Sequence, residues 1–115
     1  MMRKIFQNLF ICSLLSLPLM GNTQAATDLQ LQAIQQLGEL NGVALSCRHL
    51  EQTRRMKQAM VDNLPNERRL GEIFDQASND VFLTFFNERR LCPVKSEFTA
   101  RVDKEIKELI EQFAR

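Results

Sequence analysis

Two cysteines and a single histidine are the residues of this chain best suited to chemistry. Cys47 and Cys92 are not part of a C-x-x-C pair, so no redox motif is present. A disulfide between them would leave neither a thiol nucleophile nor thiolate ligands for zinc. His49 belongs to no Ser-His-Asp, Cys-His or C-x-x-C-H pattern, and no paired carboxylates stand out. The sequence therefore predicts a protein that is not an enzyme and that holds no metal or cofactor.

The N-terminal residues have the three parts of a secretory signal peptide. A short basic segment precedes a mostly apolar run from Ile5 to Met20, and small, polar residues follow. The apolar run is short for a bilayer span, which disfavours a retained membrane anchor. Thr23 and Ala25 supply the small side chains that precede a cleavage site. We therefore predict a signal peptide over residues 1–25, one mature domain over residues 26–115, and export to the periplasm.

Removal of this segment changes both the charge and the cysteine count. The whole chain has 15 basic and 14 acidic residues, and Arg3 and Lys4 leave with the signal peptide, so the mature net charge is about −1. A nearly neutral chain has no overall field that attracts nucleic acid or an anionic membrane. Cys12 also leaves, and the remaining pair in an exported chain predicts a Cys47–Cys92 disulfide, with two buried thiols as the alternative. Closing so long a loop would stabilise the fold by about 4 kcal/mol.

Apolar residues recur every three or four positions along the mature chain, a spacing typical of amphipathic helices. The first predicted helix begins at Thr27 or Asp28, either of which could cap it, and runs to about Asp62. The second runs from about Asn66 to Arg90, and the third runs from Glu97 to about Phe113 with Ser96 as its candidate cap. No strand pattern competes with them. The predicted fold class is all-α, a small three- to four-helix bundle whose disulfide ties the middle of the first helix to the start of the last.

The stretch from Leu37 to Leu50 has two different sides. At 100° per residue, small residues occupy one side and apolar ones the other: Gly38, Gly42 and Ser46 against Leu37, Leu40, Ala44 and Cys47. A glycine within a helix costs about 1 kcal/mol relative to alanine. Close approach of a second backbone, from this chain or from a partner, would offset that cost. The other interpretation is a turn at Asn41–Gly42 between two shorter helices.

Five arginines are candidate partner-binding residues. Arg48, Arg54 and Arg55 follow the first cysteine, and Arg89 and Arg90 stand at the end of the second predicted helix. They would contact an anionic group of a partner. The alternatives are a solvated helix face and, for the second pair, favourable interaction with a helix C-terminus.

The phenylalanines are concentrated in one segment. Eight are present, and four of them lie between Phe74 and Phe86. Packing in a helical core accounts for such a cluster. An exposed patch that contacts clients or a partner is the alternative.

Two segments resemble a known family of exported proteins. They are Cys47 with the apolar Leu50 after it, and the run from Cys92 to Phe113, in which Phe98, Val102 and Ile106 fall on the last predicted helix. These segments resemble the periplasmic acid-stress chaperones of the HdeA family, whereas Leu37 to Ser46 has no counterpart there. The resemblance implies a dimer at neutral pH that opens in acid and shields unfolding clients with its apolar faces.

The resulting expectation is an exported, non-catalytic helical protein that binds another protein and forms a homodimer. The partner is either a set of unfolded clients, as in the resemblance above, or one specific protein. A periplasmic immunity protein that neutralises a secreted toxin fits the same size, compartment and helicity. An interaction protein of the cell envelope is the third alternative.

Overall fold

The computed structural model describes residues 25–114, so almost all of the predicted signal peptide, including Cys12, lies outside the described residues. Four helices form within this range: α1 (Asp28–Ser46), α2 (Leu50–Asn63), α3 (Arg68–Asn87) and α4 (Lys95–Phe113). No strand occurs among these residues. The prediction of an all-α bundle is confirmed.

The starts of α1 and α4 differ in how they are capped. Thr27 Oγ1 accepts a hydrogen bond from the Gln30 backbone N–H (3.0 Å), and Gln30 Oε1 accepts one from the Thr27 N–H (2.9 Å), which forms a capping box. The predicted cap at Thr27 is therefore confirmed. The predicted cap at Ser96 is wrong, because α4 begins before it. Val94 is the N-cap residue, and its carbonyl accepts the Phe98 N–H at 2.9 Å, so backbone atoms alone close the first turn.

The first predicted helix is two helices, and they separate at Arg48. Residues 41 and 42 lie inside an unbroken α1, so the interpretation of Asn41–Gly42 as a turn is wrong. The chain reverses instead where Arg48 adopts a left-handed conformation with φ 63°. The N–H of His49 donates to the Ala44 carbonyl at 2.8 Å, which is the long bond of a Schellman motif. Glycine usually occupies the left-handed position of this motif. Because arginine occupies it here, the sequence did not indicate that a helix ends at this point.

Contacts along the helices give their directions. Gly38 faces Phe74 while Gly42 faces Ser78, so α1 and α3 run the same way. The Gln30 side chain donates to the Gln112 carbonyl at 2.9 Å, so the start of α1 lies beside the end of α4. The chain thus forms an up-down-up-down bundle. The C-terminal ends of α1 and α3 consequently lie at one end of the molecule.

Helix α1 is the central element of the bundle. It packs against α3 on one side and against α2 and α4, which also contact each other, on the opposite side. Both the apolar side and the glycine side of α1 are therefore buried. In an isolated amphipathic helix, the glycine side would face solvent. The largest fully buried apolar side chains are Ile34, Leu37, Met56, Leu70, Phe98, Val102 and Leu109.

Glycines allow the backbones of α1 and α3 to approach closely. A Cβ atom added at Gly38 would lie 2.6 Å from the Phe74 carbonyl oxygen, and one added at Gly42 would lie 2.6 Å from the Ser78 carbonyl oxygen. Between them, the Asn41 side-chain amide donates to Ser78 Oγ at 3.0 Å, and both side chains are buried. The second backbone over the glycines is therefore α3 of the same chain.

The predicted disulfide is confirmed, with Cys47 and Cys92 joined by an S–S bond of 2.04 Å. The disulfide was expected to attach to the middle of a long first helix, but it attaches to the end of a shorter one. Cys47 is the C-cap residue of α1, and Cys92 lies in the segment between α3 and α4. The bond therefore holds together the end of the bundle where α1 and α3 terminate. Within residues 25–114, no helix combines the length and apolar character that crossing a membrane requires.

Candidate functional site

A groove of about 670 Å³ opens beside the disulfide, where α1 and α3 end. Aromatic, aliphatic and basic side chains line it: Leu45, Ser46, Arg48, Phe82, Phe85, Phe86, Asn87, Arg89, Arg90 and Cys92. We call this the disulfide-end groove. Its position follows from the parallel run of α1 and α3, which brings two helix C-termini and their following loops together.

The apolar part of the groove is exposed although the bundle is closed. Phe85 is buried, whereas its neighbour Phe86 is 75% exposed and Phe82, one turn earlier, is also exposed. Leu45 of α1 adds an exposed aliphatic side chain beside them, and Leu91 follows at 91% exposure. Single exposed apolar residues are common on proteins, but a contiguous set marks an interaction surface. Core packing thus accounts for the buried Phe74 and Phe85, whereas Phe82 and Phe86 are exposed.

Arginines from two separate segments meet at the rim of the groove. Arg48 follows α1, while Arg89 and Arg90 follow α3. Arg89 has φ 51°, and the Arg90 N–H donates to the Phe85 carbonyl at 3.2 Å, so α3 ends in the same Schellman arrangement as α1. A left-handed conformation costs a non-glycine residue about 1 kcal/mol or more. Two such residues at one groove are a feature of functional sites, where local strain tends to concentrate.

The charge of the groove is positive. Three guanidinium groups line it, and no carboxylate does so among the described residues. Arg90 pairs with the exposed Glu88 at 2.9 Å. Within the described part of the chain, Arg48 and Arg89 form no ion pair. Two permanently charged donors are thus available to an anionic group of a partner.

The other two candidate arginines lie away from the groove, on α2. Arg55 donates to Asp103 Oδ1 at 2.7 Å and to Gln52 Oε1 at 2.8 Å, so it links α2 to α4. Arg54 is exposed on the same helix. The structure therefore brings together three of the five arginines that the sequence suggested.

Ser46, one turn after Gly42, lines the groove together with Phe82, Phe85 and Phe86 of α3. It is half-buried, and its Oγ has no hydrogen-bond partner. Leu45 is a further groove residue that the sequence did not single out. Phe82 and Phe86 belong to the phenylalanine cluster, for which the sequence left an exposed patch as the alternative to core packing.

The one histidine, His49, is partly buried. Its ring stacks on Phe98 with centroids 5.1 Å apart, and its Nε2 is buried without a hydrogen-bond partner. Among residues 25–114, no three His, Cys, Asp or Glu side chains are grouped as metal ligands would be.

A second, more polar groove adjoins the first and is lined by residues of α1, α3 and α4. Arg90 lines both grooves, and the second also contains Arg101, Lys104 and Glu105 of α4 together with Glu39 of α1. Mixed charges line this second groove, whereas the charged side chains that line the disulfide-end groove are all basic.

Comparison with known proteins found no matching family model, no matching curated protein and no matching solved structure.

Proposed function

We propose that this is an exported, non-catalytic protein that binds a specific partner protein through the disulfide-end groove. One observation carries the proposal: exposed aromatic side chains and unpaired arginines share one concave surface. Aromatic residues and arginine are the types most enriched in protein–protein interfaces and among their energetically dominant residues.

The frame around the groove supports binding without a large rearrangement. The disulfide ties the end of α1 to the segment after α3, and Schellman motifs orient Arg48 and Arg89. A backbone held in this way loses little conformational freedom when a partner binds. The groove is thus suited to one well-fitting partner, such as a toxin that an immunity protein would block or another protein of the cell envelope.

Binding by the closed bundle is better supported than opening in acid, which the HdeA-type resemblance implies. Arg55 and Asp103 form the one ion pair between helices in the described range, and their side chains are 39% and 56% exposed. Such exposed pairs contribute less than about 1 kcal/mol. Acid unfolding acts chiefly through carboxylates that the folded state pairs or hydrogen-bonds, and none of the described carboxylates is fully buried. The apolar groove, by contrast, is already exposed.

Photo-crosslinking from two equally exposed positions tests this proposal. Phe86 and Val61 are both 75% exposed, but Val61 lies on α2, outside the groove. Each would be replaced by p-benzoyl-phenylalanine in the exported protein, with irradiation at neutral pH and near pH 3. We expect one dominant adduct from position 86 at neutral pH and none from position 61.

Other outcomes would contradict the proposal in different ways. Many adducts that appear only in acid would indicate a chaperone and overturn the specific-partner form. Equal adducts from both positions, or none from position 86, would show that the groove is not the binding surface. An adduct of twice the mass of the mature chain would identify the partner as a second copy.

A further inference from the structure

The disulfide-end groove is positively charged even after the charges beneath it are counted. Three arginines line it, and Glu88 neutralises one of them. Two helix C-termini, those of α1 and α3, contribute about half a negative charge each. The remaining charge is about +1, and it is carried by Arg48 and Arg89, which form no ion pair among the described residues.

From this charge and the apolar lining we infer that the groove binds an acidic amphipathic segment of the partner. This inference rests on the proposed function. Apolar side chains of the segment would contact Phe82, Phe86 and Leu45, and its Asp or Glu carboxylates would accept hydrogen bonds from Arg48 and Arg89. Arginine–carboxylate pairs at the edge of an apolar contact supply both orientation and selectivity.

A second copy of this chain, bound as a symmetric dimer, does not complement the positive charge of the groove. A twofold contact centred on the groove brings the same patch of both copies together. No carboxylate lines this patch among the described residues, so the arginines of one copy would find arginines and no carboxylate in the other. Like charges at contact distance repel, and closure of the interface would exclude the water that screens them. An acidic segment from a different protein meets no such repulsion.

Two matched peptides test the inference directly. One is a fluorescein-labelled helical peptide of about 15 residues with Leu and Phe one turn apart, flanked by Glu, and the other has every Glu replaced by Lys. Binding to the oxidised mature protein is measured by fluorescence anisotropy. We expect the Glu peptide to bind at least about tenfold more tightly, with an affinity that falls as salt rises.

Variants of the protein locate the effect. Asparagine tolerates the left-handed conformation, so the double variant Arg48→Asn, Arg89→Asn preserves both helix ends while removing two charges. It should weaken binding of the Glu peptide by about tenfold or more. Arg54→Gln removes a charge from α2, outside the groove, and should change little. Phe86→Ala should weaken both peptides, whereas Val61→Ala should weaken neither.

The inference fails if the two peptides bind equally, or if the double asparagine variant behaves like Arg54→Gln. Binding of phosphatidylglycerol vesicles without binding of the Glu peptide would also overturn it, in favour of a membrane surface. Equal peptide affinities that Phe86→Ala reduces would overturn only the charge inference and leave protein binding intact. If neither peptide binds, the inference is wrong, and photo-crosslinking at position 86 decides separately whether the groove binds protein.

Discussion

Substitution of Gly42 by alanine measures how closely α1 and α3 are packed. Alanine is favoured over glycine within a helix by about 1 kcal/mol, so in open space the change would stabilise the protein. The added Cβ would instead lie 2.6 Å from the Ser78 carbonyl oxygen and 2.7 Å from Val81 Cβ. Relief of both contacts requires the backbone of α3 to move by several tenths of an ångström.

Movement of α3 also disturbs the buried polar contact beside it. The Asn41 amide donates to Ser78 Oγ at 3.0 Å, and a buried group that loses its partner costs about 1–3 kcal/mol. Overpacking adds about 1–3 kcal/mol. After the helix-propensity gain of about 1 kcal/mol is subtracted from these two costs, we expect Gly42→Ala to lower the free energy of unfolding by about 1–5 kcal/mol. Because Gly38→Ala would displace the same helix, the double variant should lose less than the sum of the two single variants.

Gly71 supplies the matched control on α3. No atom lies within 4 Å of a Cβ built there, so Gly71→Ala should raise the free energy of unfolding by about 0.5–1 kcal/mol. Urea unfolding of the oxidised mature protein, followed by far-ultraviolet circular dichroism, measures all four variants. Similar stabilisation by Gly42→Ala and Gly71→Ala would refute the close approach of α1 and α3.

Two further predictions concern the disulfide-end groove. Replacing Arg48 or Arg89 by glycine should stabilise the fold by about 1 kcal/mol, because glycine adopts positive φ freely. The same change should weaken binding of the acidic peptide. Urea unfolding measures the first effect, and fluorescence anisotropy measures the second. Loss of stability in either variant would argue against the left-handed helix ends. The double variant Cys47→Ser, Cys92→Ser should lose about 4 kcal/mol of stability, and thiol labelling of the folded, oxidised protein at either cysteine would contradict the bond.

Local chemistry made several parts of the fold predictable. Thr27 and Gln30 form a capping box through their own side chains, which depends on no other element. The recurrence of apolar residues every three or four positions predicted helices because burial of one face requires that spacing. The pairing of Cys47 with Cys92 was predictable because they are the only two cysteines after the predicted signal peptide, and because predicted export favours disulfide formation.

The errors arose where packing or backbone geometry overrode a local preference. Asn-Gly favours turns in isolation, but Asn41 is held by Ser78 and Gly42 by its contact with α3, so the helix continues through both. The real helix end, at Arg48, has no glycine to mark it. Ser96 was a plausible cap, yet α4 starts earlier because backbone bonds close its first turn.

The amino-acid sequence by itself determined that the chain after the predicted signal peptide is helical and that Cys47 pairs with Cys92. It also offered five arginines and a phenylalanine cluster as candidates for partner binding. Only the tertiary structure decided which of them meet. Arg48 and Arg89 are distant in sequence, and they share a groove because α1 and α3 run in parallel and end together. Residue spacing encodes which face of a helix is apolar, whereas the choice of neighbour depends on the fit of one backbone against another, as at Gly38 and Gly42.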